Sequence, residues 1–148
     1  MMDRKSNSRP GQRGTKVLFL CTNNSARSQM AEGLLRTYGQ DRFEVYSAGS
    51  IPTRVHPLAI KAMSEIGIDI SGQRSKSILD LDDIEFDCVV SLCDGAKGSC
   101  PVAHGNKIMH KTFPDPATGD IGGKKNLGRF REVREMIKKW ILRTFVDD

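Results

Sequence analysis

Apolar and polar positions along the chain follow two alternating patterns. Lys16–Cys21 (KVLFLC) is a short, nearly continuous apolar run, as in a strand buried on both faces. A polar stretch, Thr22–Ser28, follows it. Gln29–Tyr38 then reads as a helix, with Met30, Leu34 and Tyr38 spaced by four and Ala31 and Leu35 beside them, and Gly39 ends it. Phe43–Ala48 (FEVYSA) predicts a second strand. Pro57 suits a first helical position, and Leu58, Ala62, Met63 and Ile66 form one face up to Gly67. Residues 71–84 predict a short capped helix, and Phe86–Leu92 a third buried strand. Lys107–His110 predicts a fourth strand between a Gly-rich loop, Asp94–Asn106, and a Pro/Gly loop, Thr112–Asn126. Leu127–Phe145 is a strongly amphipathic helix, with Phe130, Val133, Ile137, Trp140 and Ile141 on one face. Strands alternating with helices predict an α/β fold. The expectation is a four-stranded parallel sheet with helices on both faces, a Rossmann-like three-layer sandwich.

Length and charge narrow the picture further. The 148 residues suit one domain and a tail. Residues 1–15 carry Arg4, Lys5, Arg9 and Arg13 against Asp3, so of the net charge of +5 only +2 remains for residues 16–148. The tail reads as a disordered basic extension and the rest as a single domain. A body so mildly basic gives no reason to expect nucleic acid. The longest purely apolar run, Val17–Cys21, is too short for a membrane span, and no apolar signal segment follows the charged start. A cytoplasmic monomer without bound cofactor is expected. Four cysteines without an export signal do not read as a disulfide framework; they are buried, metal-bound or reactive.

In a parallel sheet of this kind ligands sit at the carboxyl ends of the strands, and Cys21 and Cys93 each lie just past such an end. Cys21-Thr22-Asn23-Asn24-Ser25-Ala26-Arg27-Ser28 joins the first strand to the first helix. The backbone amides from Thr22 to Arg27 can converge on a tetrahedral oxyanion, helped by the positive end of the helix. Arg27 can bind two oxygens with its planar fork. The same field favours a thiolate at Cys21, and the Ser28 hydroxyl can donate to that sulfur. Cys93 and Cys100 have six residues between them, Gly95 and Gly98 included, and read as a thiol pair in a pliable loop or as half of a zinc site with His104 and His110. The wide spacing disfavours zinc, and no metal is expected. Cys88 reads as an inert core residue, and His56 before Pro57 as a loop residue.

The stretch VLFLCTNNSARSQMAEGLLR resembles the low-molecular-weight tyrosine phosphatases, and more closely their thioredoxin-coupled arsenate reductase branch. The likeness extends through VYSAGS, GIDISGQRSKS, VVSLCDGAKGSCP and FPDPA to the final helix. Gln29, where the phosphatases usually carry Pro, and the pair Cys93 and Cys100 mark the branch. The resemblance implies that Cys21 attacks arsenate, Cys93 attacks Cys21, Cys100 attacks Cys93, and thioredoxin reduces the final disulfide. It implies Asp115, before Pro116, as general acid. The alternative it leaves open is a protein tyrosine phosphatase with protective thiols, and a glutaredoxin–glutathione route is the alternative donor. The phosphatases commonly carry tyrosines after Asp-Pro, whereas Ala117, Thr118 and Gly119 stand here.

Two departures from the family pattern carry expectations. Some relatives bind potassium through positions matching Asn24, Glu32 and Ser47, but the remaining ligand positions match Arg74 and Lys76. One of these cations is expected to replace the ion by pairing with Glu32. Asn23 stands where glycine is frequent, and Asn would tolerate a positive φ there if the loop required one.

Overall fold

The computed structural model describes residues 14–92, 104–117 and 124–147. The expected tail falls almost wholly outside this range, as do Cys93, Cys100 and most of the Gly-rich loop. The elements run β1 (Thr15–Leu20), α1 (Arg27–Gly39), β2 (Phe43–Ala48), α2 (Pro57–Ser64), β3 (Phe86–Ser91), β4 (Gly105–His110) and α3 (Lys124–Ile141). The strands form one parallel sheet in the order β2-β1-β3-β4, so the expected α/β class and four-stranded sheet are present. Because β2 and β3 lie on opposite sides of β1, the chain reverses direction across the sheet beside β1. The carboxyl end of β1 is therefore the place where such sheets open a ligand crevice.

The two faces are covered unequally. Val17 and Phe19 of β1, Val45 of β2 and Val90 of β3 pack with Met30, Leu34, Met63, Phe130 and Ile137 from all three α-helices. Leu18, Leu20, Ala48 and Val89 point the other way, where Ile78, Leu81 and Ile84 cover them. That second cover contains a 3-10 helix, Ile78–Leu81, rather than the longer helix expected over residues 71–84. A capping box starts it: the Ser77 hydroxyl accepts from the Leu79 N–H at 3.1 Å and Asp80 accepts from the Ser77 N–H at 3.2 Å.

Most element boundaries fall within a few residues of the sequence pattern, and the exceptions have local causes. α2 stops at Ser64 rather than near Gly67, because Gly67 takes a φ of 80° and the Ile68 N–H turns back to the Met63 carbonyl at 3.0 Å. α3 ends in a π turn, Leu142–Val146, which brings the Phe145 ring edge-on to Phe43 at 5.7 Å and Trp140 at 5.8 Å. Glu65, just past α2, pairs with Arg131 at 2.7 Å and Arg134 at 3.2 Å and so ties α2 to α3. Arg131 and Arg134 hold the Glu65 carboxyl down to about 2. Among the described residues no helix is long and apolar enough to cross a membrane.

Candidate functional site

α1 begins at Arg27, two residues earlier than the apolar pattern suggests, so Arg27 and Ser28 occupy its first turn. Ala26 at its start offers no side-chain cap. The preceding loop is fixed instead through its carbonyl groups. The Thr22 carbonyl accepts from the Ile51 N–H at 2.9 Å, Asn23 from Thr53 at 3.2 Å and Ser25 from His56 at 2.9 Å. The Asn24 carbonyl accepts from the Gln29 side-chain amide at 3.0 Å. A trans peptide points its N–H opposite its C=O. Turning four consecutive carbonyls outward therefore turns the amides of residues 23 to 26 inward. Asn23, Asn24, Ser25 and Ala26 are four of the six residues from Thr22 to Arg27 expected to bind an anion.

The left-handed residue in the loop is Asn24, with φ 48°; Asn23 is not among the described positive-φ residues. The condition set for Asn23, a positive φ, is met one residue later, at Asn24. Asn is one of the few side chains that tolerates this conformation, because its own amide makes local hydrogen bonds. Here Asn24 is fully buried. Its Oδ1 accepts from the Lys76 N–H at 2.7 Å, which fixes the amide orientation, and its Nδ2 donates to Ser28 Oγ at 2.8 Å. Ser28 Oγ lies 2.9 Å from Cys21 Sγ. Ser28 Oγ accepts from Asn24, and between Ser28 Oγ and Cys21 Sγ either atom can donate. When the sulfur is a thiolate the Ser28 hydroxyl is the donor, and the chain then runs from Asn24 through Ser28 to Cys21.

Gly49 lets the next segment approach this loop. A Cβ there would lie 2.5 Å from the Thr22 oxygen, 2.7 Å from the Cys21 oxygen and 2.9 Å from the Asn24 nitrogen. These are backbone atoms, which cannot yield as a flexible side chain would. Gly49 is thus required by close packing rather than by its own φ.

Cys21, Asn23, Ser25, Ala26, Arg27, Thr53, His56, Asp115 and Ala117 line a cavity of about 220 Å³. Arg27 Nη1 donates to the Phe113 carbonyl at 3.2 Å and the Leu92 carbonyl at 3.5 Å. Its Nη2 lies 4.0 Å from Asp115 Oδ2. Asp115 Oδ1 accepts from the Ala117 N–H at 2.9 Å, which holds the carboxylate against the cavity. Of the predicted site residues, Cys21, Arg27 and Asp115 share this cavity, with Ser28 bonded behind the sulfur. Cys93 and Cys100 lie outside the described residues.

His56 was not apparent as a cavity residue from the sequence. Its Nδ1 accepts from the Leu58 N–H at 3.1 Å and caps α2, and its ring lies 4.7 Å from that of Phe130. Its position just before Pro57 at a helix start is the signal that could have found it. Cys88 is buried as expected, 3.6 Å from Met109 Sδ, and burial pushes its thiol up. His104 and His110 are exposed.

Glu32 sits behind the loop with only 5% of its surface exposed. Ser47 Oγ donates to it, Arg36 pairs with it, and Lys76 Nζ lies 4.0 Å from Oε1. Lys76 Nζ also donates to the Arg74 carbonyl at 2.8 Å. Burial pushes the Lys76 ammonium below its ordinary value and Glu32 opposes that shift. The cations placed at Glu32 are thus Lys76 and Arg36, and the Arg74 contribution is its carbonyl.

The low molecular weight phosphotyrosine protein phosphatase family matches residues 16–146. An arsenate reductase of Halalkalibacterium halodurans is 46% identical over 132 residues, covering 88% of this chain and 94% of the relative. A glutaredoxin arsenate reductase of Synechocystis is 41% identical over 124 residues, covering 84% of this chain and 91% of the relative. A solved arsenate reductase in its phosphate-binding state has 37% identity and a TM-score of 0.72, covering 88% of this chain and 96% of its own.

Two outcomes follow from this geometry. Gly49→Ala should weaken binding of inorganic phosphate about tenfold or more, measured by titration calorimetry, because the loop must shift to admit the methyl group. Wild-type affinity would show that the loop tolerates the displacement. With Lys76 and Arg36 already at Glu32, the melting temperature should be equal in potassium and sodium chloride at matched ionic strength. A rise of several degrees specific to potassium would contradict the built-in cation.

Proposed function

The chain belongs to the low molecular weight phosphotyrosine protein phosphatase family, and from that premise we propose that it reduces arsenate to arsenite with thioredoxin as electron donor. The observation that carries the reading is the joining of Cys21, Arg27 and Asp115 in one small cavity walled by inward-facing amides. The arsenate reductases to which the chain is similar over most of its length supply the substrate.

The Cys21 thiolate attacks arsenic(V) while the loop amides and Arg27 hold the remaining oxygens. Asp115 delivers a proton to the departing oxygen, which leaves as water; hydroxide alone would leave poorly. The product is a Cys21–arsenic(V) adduct. The Cys93 thiolate then attacks Cys21 Sγ. The sulfur–arsenic bond breaks and its electron pair stays on arsenic, which departs as arsenite, arsenic(III). A Cys21–Cys93 disulfide remains, so two thiols have lost the two electrons that arsenic gained. Cys100 attacks Cys93, frees the Cys21 thiolate and leaves a Cys93–Cys100 disulfide. Thioredoxin reduces that disulfide by exchange. This cycle belongs in a reducing compartment, the cytoplasm.

The phosphatase alternative shares Cys21, Arg27 and Asp115 but needs a wall that grips an aryl group. Ala117 stands in the cavity wall after Asp115-Pro116, and an alanine offers no ring for stacking. The glutaredoxin route retains one specific support, the similarity to the glutaredoxin arsenate reductase of Synechocystis.

Steady-state assays separate these readings. Arsenate-dependent NADPH oxidation should require thioredoxin and thioredoxin reductase. Cys93→Ser and Cys100→Ser should each lose it while retaining slow aryl phosphate hydrolysis. Turnover only with glutaredoxin and glutathione would replace the donor. Brisk aryl phosphate hydrolysis with no arsenate turnover under either donor would establish the phosphatase.

A further inference from the structure

Three of the anion-loop carbonyls are met by backbone amides, Asn23 by the Ser75 hydroxyl at 3.0 Å as well, and the fourth by a buried side chain of α1. Thr22, Asn23 and Ser25 each receive a backbone N–H from the segment of residues 51–56. Asn24, the left-handed residue, receives a side-chain donor instead, Gln29 Nε2 at 3.0 Å. Gln29 is fully buried on α1. Its second amide hydrogen goes to the Arg74 carbonyl at 2.9 Å, and its Oε1 accepts from Gln73 Nε2 at 2.7 Å. Gln73 Nε2 also reaches the Gln29 carbonyl at 3.1 Å, and Gln73 Oε1 accepts from Arg36 Nη1 at 3.0 Å. Every polar atom of the Gln29 side chain is therefore committed, and each bond points the same way. Donors run from Arg36 to Gln73, from Gln73 to Gln29, and from Gln29 to the Asn24 carbonyl.

We propose that Gln29, braced by Gln73, is a positioning residue that keeps the Asn24 carbonyl outward and so aims the Ser25 amide at the bound oxyanion. The inference deepens the arsenate-binding reading of this loop and rests on it. A buried carbonyl that loses its donor seeks another, and the nearest way to do so is to rotate the 24–25 peptide. Rotation would withdraw one inward amide from the oxyanion. It would also disturb the φ of Asn24, whose side chain supports Ser28 and through it Cys21. Gln29 touches neither substrate nor sulfur; it acts through Asn24.

Gln29→Glu preserves the shape of the side chain but places a carboxylate, which only accepts, against two carbonyls. Gln73→Leu leaves the Gln29 donors in place and removes their brace, together with the acceptor of Arg36 Nη1. The readout is the rate at which iodoacetamide alkylates Cys21, followed on its own peptide by mass spectrometry across pH, with and without inorganic arsenate. In Gln29→Glu the dissociation constant for arsenate, read from protection, should rise about tenfold, and the midpoint of the alkylation profile should move to higher pH. Gln73→Leu should move both in the same direction, the dissociation constant by about threefold. A merely structural role would lower the melting temperature and leave both readouts unmoved. Wild-type protection and an unshifted profile in folded Gln29→Glu overturn the proposal. If that variant does not fold, the same result in Gln73→Leu overturns it. The test needs no turnover, so a wild-type protein that binds arsenate without reducing it would sink the reductase reading and leave this one decided separately.

Discussion

The structure depends on one constraint: the loop between β1 and α1 must turn four consecutive carbonyls away from its centre. An amide faces inward only if the carbonyl before it faces out, and an outward carbonyl inside a protein needs a donor. The rest of the fold can be understood as supplying those donors. β2 runs parallel to β1, so the segment leaving β2 passes alongside the loop that leaves β1. Ile51, Thr53 and His56 hold that segment in register through their amides. Gly49 permits the approach because a side chain there would strike loop backbone. Gln29 completes the set from the helix that the loop begins.

The chemistry follows from what this arrangement places at its centre. Cys21 follows a strand whose last four residues are buried, and its sulfur lies at the end of a hydrogen-bonded chain that begins at the Lys76 backbone. Arg27 has one nitrogen on the carbonyls of Leu92 and Phe113 and the other facing Asp115. One side chain thereby links the nucleophile's loop to the segment carrying the acid and to the end of β3. Behind them, Glu32 gathers Arg36 and Lys76 into a compact charged cluster that supports the loop without occupying the cavity. A buried carboxylate left unpaired would be costly, and its partners come from both α1 and the chain segment before the 3-10 helix.

Much of this was legible in the sequence because it rests on local pattern. The apolar run before Cys21, the spacing of Cys21 and Arg27, and the faces of α1 and α3 each announce themselves within a few residues. Asp115 was named through the family resemblance, from its place before Pro116. What escaped depends on contacts between distant segments. Both Asn23 and Asn24 tolerate a left-handed turn, and only the position of the Lys76 amide selects Asn24. Gln29 could be recognised as a family marker, but its donors to Asn24 and Arg74 exist only once the segment around residue 74 crosses α1. Arg36 was hidden among the exposed charges of α1, because nothing local distinguishes an arginine that reaches a buried glutamate. His56 looked like a loop residue because its cap and its place in the cavity wall arise together, from packing on α3.

The central claim is that Cys21 is the nucleophile of a two-electron reduction completed within this one chain. It is tested most directly by a single turnover of fully reduced protein with excess arsenate and no external reductant. The account predicts one arsenite released per chain, two thiols lost, and a Cys93–Cys100 disulfide in the peptide map, with none of these in Cys21→Ser. Release of arsenite with Cys21 dispensable, or an unoxidised chain after full exposure to arsenate, would contradict it.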